Sequence, residues 1–480
     1  MNDTTPIAEI VAEIGARFTR LSDEIWSDPH LRWQEHASVE KQIEVAAEFG
    51  FQVQRNVAGI PTAFWAEKGE AGPLIAVLGE FDALAGMSQQ AGALEATPNP
   101  DTANTNGHGC GHNLLGSGSL LAAVAAARYL ELNGLPGRVR YYGCPAEEAA
   151  AGKTFMVKGG AFDGIDAAVS WHPGSVMSTR QVLSLAYTQV YFRFTGVAAH
   201  AGSAPHLGRS ALDAVELLNV GANFLREHMP DSARVHYAIT DAGGTSPNVV
   251  QANASVYYIV RAVDVAQMST LYDRVVKIAQ GAALMTETTL EVDFDGACAE
   301  LLPNHVLEQA LHANVENIGG VPFDDVDQKT AAPYTDAYPA AEVVGIRRLL
   351  GVEGDEPLFS GVAPLGSPYA RYQMTGSTDV GDVSWIAPTV QISGGTHAVG
   401  TPAHSWQMVA QGTLPAAHKG MLHAAEAMAA TTVDIATDAQ LLAAATAEFD
   451  AVVARTPYDC PIPDGIVPPP LRVGNEAFIG

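Results

Sequence analysis

The run Gly107-His108-Gly109-Cys110-Gly111-His112-Asn113 sets two imidazoles and a thiol on a backbone with three glycines, too short and too bare to fill a core. Imidazole nitrogen and thiolate sulfur are donors that borderline transition metals prefer, and glycine permits a backbone tight enough for alternate side chains to converge. The chemistry indicated is divalent metal binding, which needs further donors from elsewhere in the chain. Candidates are Glu80-Phe81-Asp82, the pair Glu147-Glu148, His172, and His404 within Gly400-Thr401-Pro402-Ala403-His404-Ser405-Trp406. Four or five N, S and O donors from separate loops suit one or two divalent ions with an open position.

Glu147 and Glu148 are adjacent, and two neighbouring carboxylates do not serve one ion at the same distance. One can bind metal while the other takes a proton. Amide hydrolysis asks for that division: a metal to polarise water and carbonyl, and a base to collect a proton and return it to the leaving amine. Taken alone the pair reads as a solvated turn; its place directly after an apolar strand favours chemistry. His200, in Ala198-Ala199-His200-Ala201-Gly202, has only small residues beside it and suits donation to a substrate oxygen. Asn248 could donate likewise or simply form a turn, and Arg261, at a strand end, could grip a carboxylate or lie exposed.

These residues need elements to position them. Apolar residues Ile7, Ile10, Val11, Ile14, Phe18, Leu21 and Ile25 recur at helical spacing. A second helix is expected over residues 39–49, strands near 51–53 and 62–66, and a fully apolar strand at 74–78, buried on both faces as in a parallel sheet. A long Ala/Leu-rich helix over 114–132 ends at Asn133-Gly134. Strands at 138–143 and 167–171 bracket a short helix around Phe155. This alternation predicts an α/β sheet with crossover helices, whose ligands sit beyond the carboxyl ends of the strands. Glu80 and Asp82 follow the first of those strands, Glu147-Glu148 the second and His172 the third, so all gather at one edge with Cys110 and His112.

From about Tyr187 the texture changes. Strands at 190–194, 234–239, 255–262 and 290–294 alternate with helices at 209–229 and 265–285, which is a βαββαβ unit. A ferredoxin-like domain, residues 186–299, is therefore expected as an insertion into a catalytic domain made of residues 1–185 and 300–480. A later strand is expected at 389–393, and the Pro-rich stretch 461–470 reads as an irregular surface segment.

The chain has 480 residues and 47% hydrophobic content, enough for a large core and two domains. Its formal net charge is −27, with 53 acidic residues against 26 basic, which repels nucleic-acid phosphates and anionic lipid alike. Cys110, Cys144, Cys298 and Cys460 lack framework spacing and read as reduced thiols, one of them a ligand. The N-terminus lacks the basic and continuous apolar regions of a signal peptide, so a cytoplasmic protein is expected. Ala151-Gly152-Lys153-Thr154 imitates the end of a phosphate loop, but Glu147 stands where the upstream glycine is required. There is no Gly-x-Ser-x-Gly elbow, which weighs against a serine hydrolase.

Taken in order, Gly79-Glu80-Phe81-Asp82-Ala83-Leu84, Gly107 to Asn113, Cys144-Pro145-Ala146-Glu147-Glu148, Trp171-His172-Pro173, Ala199-His200-Ala201, Pro247-Asn248-Val249-Val250 and Gly400 to Trp406 resemble metallopeptidase family 20, the aminoacylase and amidohydrolase family, in its subfamily D. The resemblance runs through nearly the whole chain. It implies an α/β fold with a mixed-sheet, zinc-peptidase-like catalytic domain and an inserted ferredoxin-like dimerisation domain. It implies Cys110, His112, Glu148, His172 and His404 as metal ligands, Glu147 as general base, and Asp82 orienting a ligand. The histidine matching His200 would reach a neighbouring active site and polarise the scissile carbonyl, with Asn248 assisting. Manganese is the usual metal of this branch and zinc is compatible with the thiolate.

Two departures stand out. Glu80 occupies a position where many members of the wider family have a metal-binding histidine, and Asn113 follows Cys-Gly-His where most of the subfamily has aspartate; a neutral residue there would remove a negative charge beside the ions. The expected enzyme is a metal-dependent amidohydrolase acting on an N-acyl or N-aroyl amino acid, working as a homodimer or with a paralogous subunit, and without nucleic-acid or membrane partners. Two rivals are hydrolytic removal of an amino group from an aromatic amine at the same site, and a non-catalytic protein stabilised by its metal.

Overall fold

The computed structural model describes residues 4–181, 183–366 and 376–472. Its strands are Gln52–Arg55 (β1), Phe64–Lys68 (β2), Leu74–Glu80 (β3), Arg138–Cys144 (β4), Ala167–Gly174 (β5), Ser178–Thr179 (β6), Ala186–Thr195 (β7), Arg234–Asp241 (β8), Asn253–Ala262 (β9), Thr289–Cys298 (β10) and Thr389–Gly395 (β11). A seven-stranded mixed sheet runs β1-β2-β4-β3-β5-β11-β6. The central strands β4, β3, β5 and β11 are parallel; β1, β2 and β6 pair antiparallel at the flanks.

Every residue of β3 is buried, because helices cover both faces of the sheet. Ile75 and Val77 point into a core with the helices Thr5–Trp26, His112–Leu132 and Pro415–Thr437, while Leu74, Ala76 and Leu78 join a second core with Phe155 and Phe162. Small residues let the long helix lie close to the strands. A Cβ on Gly118 would stand 2.8 Å from the Trp171 ring, and one on Gly116 2.7 Å from the Glu80 carbonyl oxygen. That closeness fixes the height of His112, the first residue of the helix, over the strand ends.

The second sheet is antiparallel, in the order β10-β7-β9-β8, with the helices Ala211–Leu225 and Val265–Thr286 between its strands in sequence. This is the expected ferredoxin-like order. Val190, Phe192 and Phe194 of β7 and Val256, Tyr258 and Val260 of β9 form its core with those helices. The other face is polar and aromatic: Tyr191 stacks on Tyr257 at 4.2 Å, and buried Asp295 accepts from Tyr257 Oη at 2.7 Å. Arg32, from the segment after the first helix, reaches the same carboxylate at 2.7 Å and ties this sheet to the larger one.

Two local expectations shift. His172 lies inside β5, which runs to Gly174 because its pairing with β11 continues to Gly395. The 461–470 segment is irregular up to a single turn at Pro469–Leu471, yet it is strapped down: Ile462 is buried and its carbonyl accepts from Lys158 Nζ at 2.8 Å. All four cysteines are free thiols.

Candidate metal centre

Strand ends and helix starts bring the expected donors together. Cys110 Sγ stands 3.3 Å from His172 Nε2, and His404 Nε2 stands 3.2 Å from Glu148 Oε2. Two donor groups share the thiol: Cys110, His112 and His172 form one, and Cys110, Glu148 and His404 the other, with the donor atoms of each group within 4.8 Å of one another. A third group, Glu80, His112 and Glu147, is equally close. The cluster opens to solvent beside His404, whose side chain is 52% exposed while that of Glu148 is 8% exposed.

Tautomers follow from the hydrogen bonds. His112 Nδ1 donates to Asp82 Oδ1 at 2.8 Å and His172 Nδ1 donates to the Pro173 carbonyl at 2.8 Å, so each ring directs Nε2 at the cluster. His112 Nε2 and Glu80 Oε2 are buried without a hydrogen-bond partner, 3.3 Å apart. Orphaned donor atoms beside a thiol and two further imidazoles are what a divalent cation satisfies, so these residues fit a metal. Burial would raise the Cys110 thiol, but His172, His112 and His404 outweigh it and hold it well below the usual thiol range, as a ligand thiolate requires. Burial would lower His112, yet Asp82 and Cys110 hold it well above the usual imidazole range, and Cys110 and Glu148 raise His404 to about 11. Of the acceptors responsible, Cys110 and Glu148 would hold a divalent cation in place of those protons.

Glu147 and Glu148 sit on the short helix Glu147–Ala150, bracketed by Ala146 and Ala151, both with left-handed φ of 57° and 54°. Such backbone is costly for an alanine, about 1–2 kcal/mol each, and surrounding contacts hold it. Glu35 Oε1 accepts the Ala146 N–H and Asp82 Oδ2 accepts the Glu148 N–H, both at 2.8 Å. Gly152 closes the turn; a Cβ there would lie 1.8 Å from the Pro145 carbonyl oxygen. Glu147 Oε2 faces His112 Nε2 at 3.9 Å. Burial, then neighbouring Glu80, Asp379 and Glu148, push its carboxyl well above the usual range, the direction a proton-carrying base needs.

Other candidates lie apart. His200 and Asn248 are exposed on adjoining loops of the second sheet, joined by the His200–Val249 bridge and by the Ala201 N–H donating to the Asn248 carbonyl at 2.9 Å. Among the described residues no hydrogen bond or ion pair joins either to the cluster. Arg261 is half-buried, donates to Ser377 Oγ at 2.6 Å and lies over the Tyr187 ring. His108 is buried with Nε2 bonded to the Ile25 carbonyl, and burial lowers its pKa to about 4. Asn113 turns away from the donors, its amide giving hydrogen bonds to Ser22 Oγ at 3.0 Å and the Gly412 carbonyl at 3.1 Å. Sequence reasoning passed over Glu35, Lys153 and Asp379. Lys153 carries a signal in hindsight: a lysine on the short helix that directly follows the Glu147-Glu148 turn.

A family model described as peptidase family M20/M25/M40 matches residues 76–446. The chain belongs to that family. It is 47% identical over 466 residues to a subunit of the p-aminobenzoyl-glutamate hydrolase of Escherichia coli strain K12, covering 95% of this chain and 96% of that protein. Among solved structures, an aminobenzoyl-glutamate utilization protein from Klebsiella pneumoniae superposes with a TM-score of 0.56 at 18% identity, over 86% of this chain and 97% of the other. A dinuclear metal-binding M20 peptidase from Bacillus subtilis gives 0.54 at 16% identity, over 89% and 100%. This M20 chain is thus a metal-dependent hydrolase of amide C–N bonds, built as a mixed-sheet lobe carrying an inserted domain. No helix among its described residues is long and apolar enough to cross a membrane.

Proposed function

We propose that the chain hydrolyses the amide bond of an N-aroyl or N-acyl amino acid, with p-aminobenzoyl-glutamate the first candidate substrate. The observation that carries this reading is the Glu147-Glu148 turn, which sets one carboxylate toward His112 and the next toward His404 around a shared Cys110 thiol. Identity of 47% to a p-aminobenzoyl-glutamate hydrolase subunit supports the substrate class.

Cys110, His112, His172, Glu148 and His404 would hold two divalent ions, manganese first and zinc second. Bound there, the ions supply activation of water and polarisation of the carbonyl. Glu147 takes the proton of the attacking water and delivers it to the departing nitrogen. Asp82 fixes the His112 ring. His200 Nδ1 accepts the N–H groups of Gly202 and Ser203, both at 3.1 Å, so its proton resides on Nε2 and donates to a carbonyl oxygen. Because His200 and Asn248 lie apart from the cluster of their own chain, they would serve the site of a second subunit, a copy of this chain or a paralogue, in a cytoplasmic dimer.

The test is turnover of p-aminobenzoyl-glutamate by Mn²⁺-loaded protein. Equal release of p-aminobenzoate and glutamate, lost on chelation and regained with Mn²⁺, is expected. Ammonia without a new carboxylic acid would shift the reaction to aromatic amines, and inertness toward a panel of acyl amino acids would leave a metal-stabilised binding protein.

A further inference from the structure

Lys153 is completely buried, yet its ammonium meets two carboxylates, Glu80 Oε1 and Asp379 Oδ1, each at 2.6 Å. Its own backbone N–H donates to Asp379 Oδ2 at 2.8 Å, so lysine and aspartate are bound twice. The three residues come from three places: the end of β3, the helix Gly152–Lys158, and the residue before the helix Val380–Ser384. Glu80 is thereby divided. One oxygen belongs to Lys153; the other, buried and unpartnered, faces His112 Nε2 at 3.3 Å, with Glu147 in the same group.

A buried carboxylate pair without a cation is strongly unfavourable, and removing one partner of such a network leaves the rest uncompensated. We propose that Lys153 is a positioning residue, a cation tethered to the chain that occupies a site formed by Glu80 and Asp379 beside the metal ligands, and that it acts on the centre by holding Glu80 against His112. The ammonium does there what a third bound ion would otherwise do, and the lysine closes that position to metals. This assigns a task to the Ala151-Gly152-Lys153-Thr154 stretch, which only imitates a phosphate loop. The inference deepens the proposed function at the same site, but its main readout is thermal stability, which does not depend on the substrate being correct.

The experiment uses the full-length, Mn²⁺-loaded protein and a Lys153→Ala variant, which lacks three methylenes and the ammonium. Propylammonium replaces those atoms with charge; 1-propanol has the same number of heavy atoms without it. Lys153→Ala is expected to melt at least ~5 °C lower than the parent, and tens of millimolar propylammonium, roughly, should restore half or more of the loss while leaving the parent unmoved. With an active substrate in hand, kcat falls about tenfold or more with KM within about threefold, and propylammonium restores kcat saturably. Equal rescue by 1-propanol, or no loss of melting temperature, overturns the proposal. If Lys153→Ala does not fold, Lys153→Met is compared with Glu80→Gln/Lys153→Met. The double variant should be the more stable, since it removes one of the two carboxylate charges left uncompensated; a double variant no better than the single one, or failing to fold, overturns the proposal as well.

Discussion

Asp82 and His112 are joined by a 2.8 Å hydrogen bond from Nδ1 to Oδ1, and the second oxygen of the same carboxylate receives the Glu148 N–H. One side chain therefore sets the ring of one proposed ligand and the backbone of another. Burial would raise its pKa, but the hydrogen bond and charge of His112, the Glu148 N–H and the Lys153 charge together outweigh burial and keep Asp82 ionised.

Asp82→Asn should weaken Mn²⁺ binding by about 10–100-fold, as removal of a partner that orients a ligating histidine does. Competition with a metal-sensitive dye measures it. Unchanged affinity would mean that His112 keeps its orientation through packing alone.

Glu147→Gln should lower kcat by about 10²–10⁴-fold with metal content unchanged, since glutamine keeps the shape but carries no proton between water and nitrogen. A loss under about tenfold, with metal retained, would sink the general-base assignment.

His200→Ala and Glu147→Gln chains should each be nearly inactive. Mixed and reassembled, they should recover up to about a quarter of parental turnover if two chains share each site, because some hybrid sites then carry both intact residues. Absence of recovery, with mixed dimers shown by mass, would count against sharing.

Asp382 is buried, accepts from Thr154, Tyr458 and the Ala299 N–H, and is raised by burial to about 7. Between about pH 4 and 7 the unfolded chain ionises this group while the folded protein keeps it protonated, so its contribution is full below pH 4 and is lost as pH rises through 7, at about 1.4 kcal/mol per pH unit at most. In urea melts the parent should thus weaken across that window relative to Asp382→Asn, whose amide does not titrate. Parallel stability curves for the two proteins would refute the shift.

The cluster was legible because parallel strands release their chains at one edge, and residues just past β3 and β4 could be assigned there without knowing any distance. The inserted sheet was legible from the period of its strands. Contacts between distant segments were not. Glu35 precedes a helix in an ordinary polar loop, and nothing local foretells that its carboxylate holds the amide before Glu147. Lys153 looked like the remnant of a different motif, since its partners are Glu80 and Asp379, far away on either side. Asn113 was read by charge alone, whereas its amide is turned toward Ser22 and Gly412.

The His404 N–H donates to the Gly109 carbonyl at 2.8 Å, stitching the last of the five proposed ligands to the loop that carries the first. A chain leaving the ribosome exposes Cys110, His112, Glu148 and His172 well before His404 and its supporting helices are synthesised. A metal met during translation would find only part of the proposed donor set, so full loading would wait until the C-terminal segment has docked.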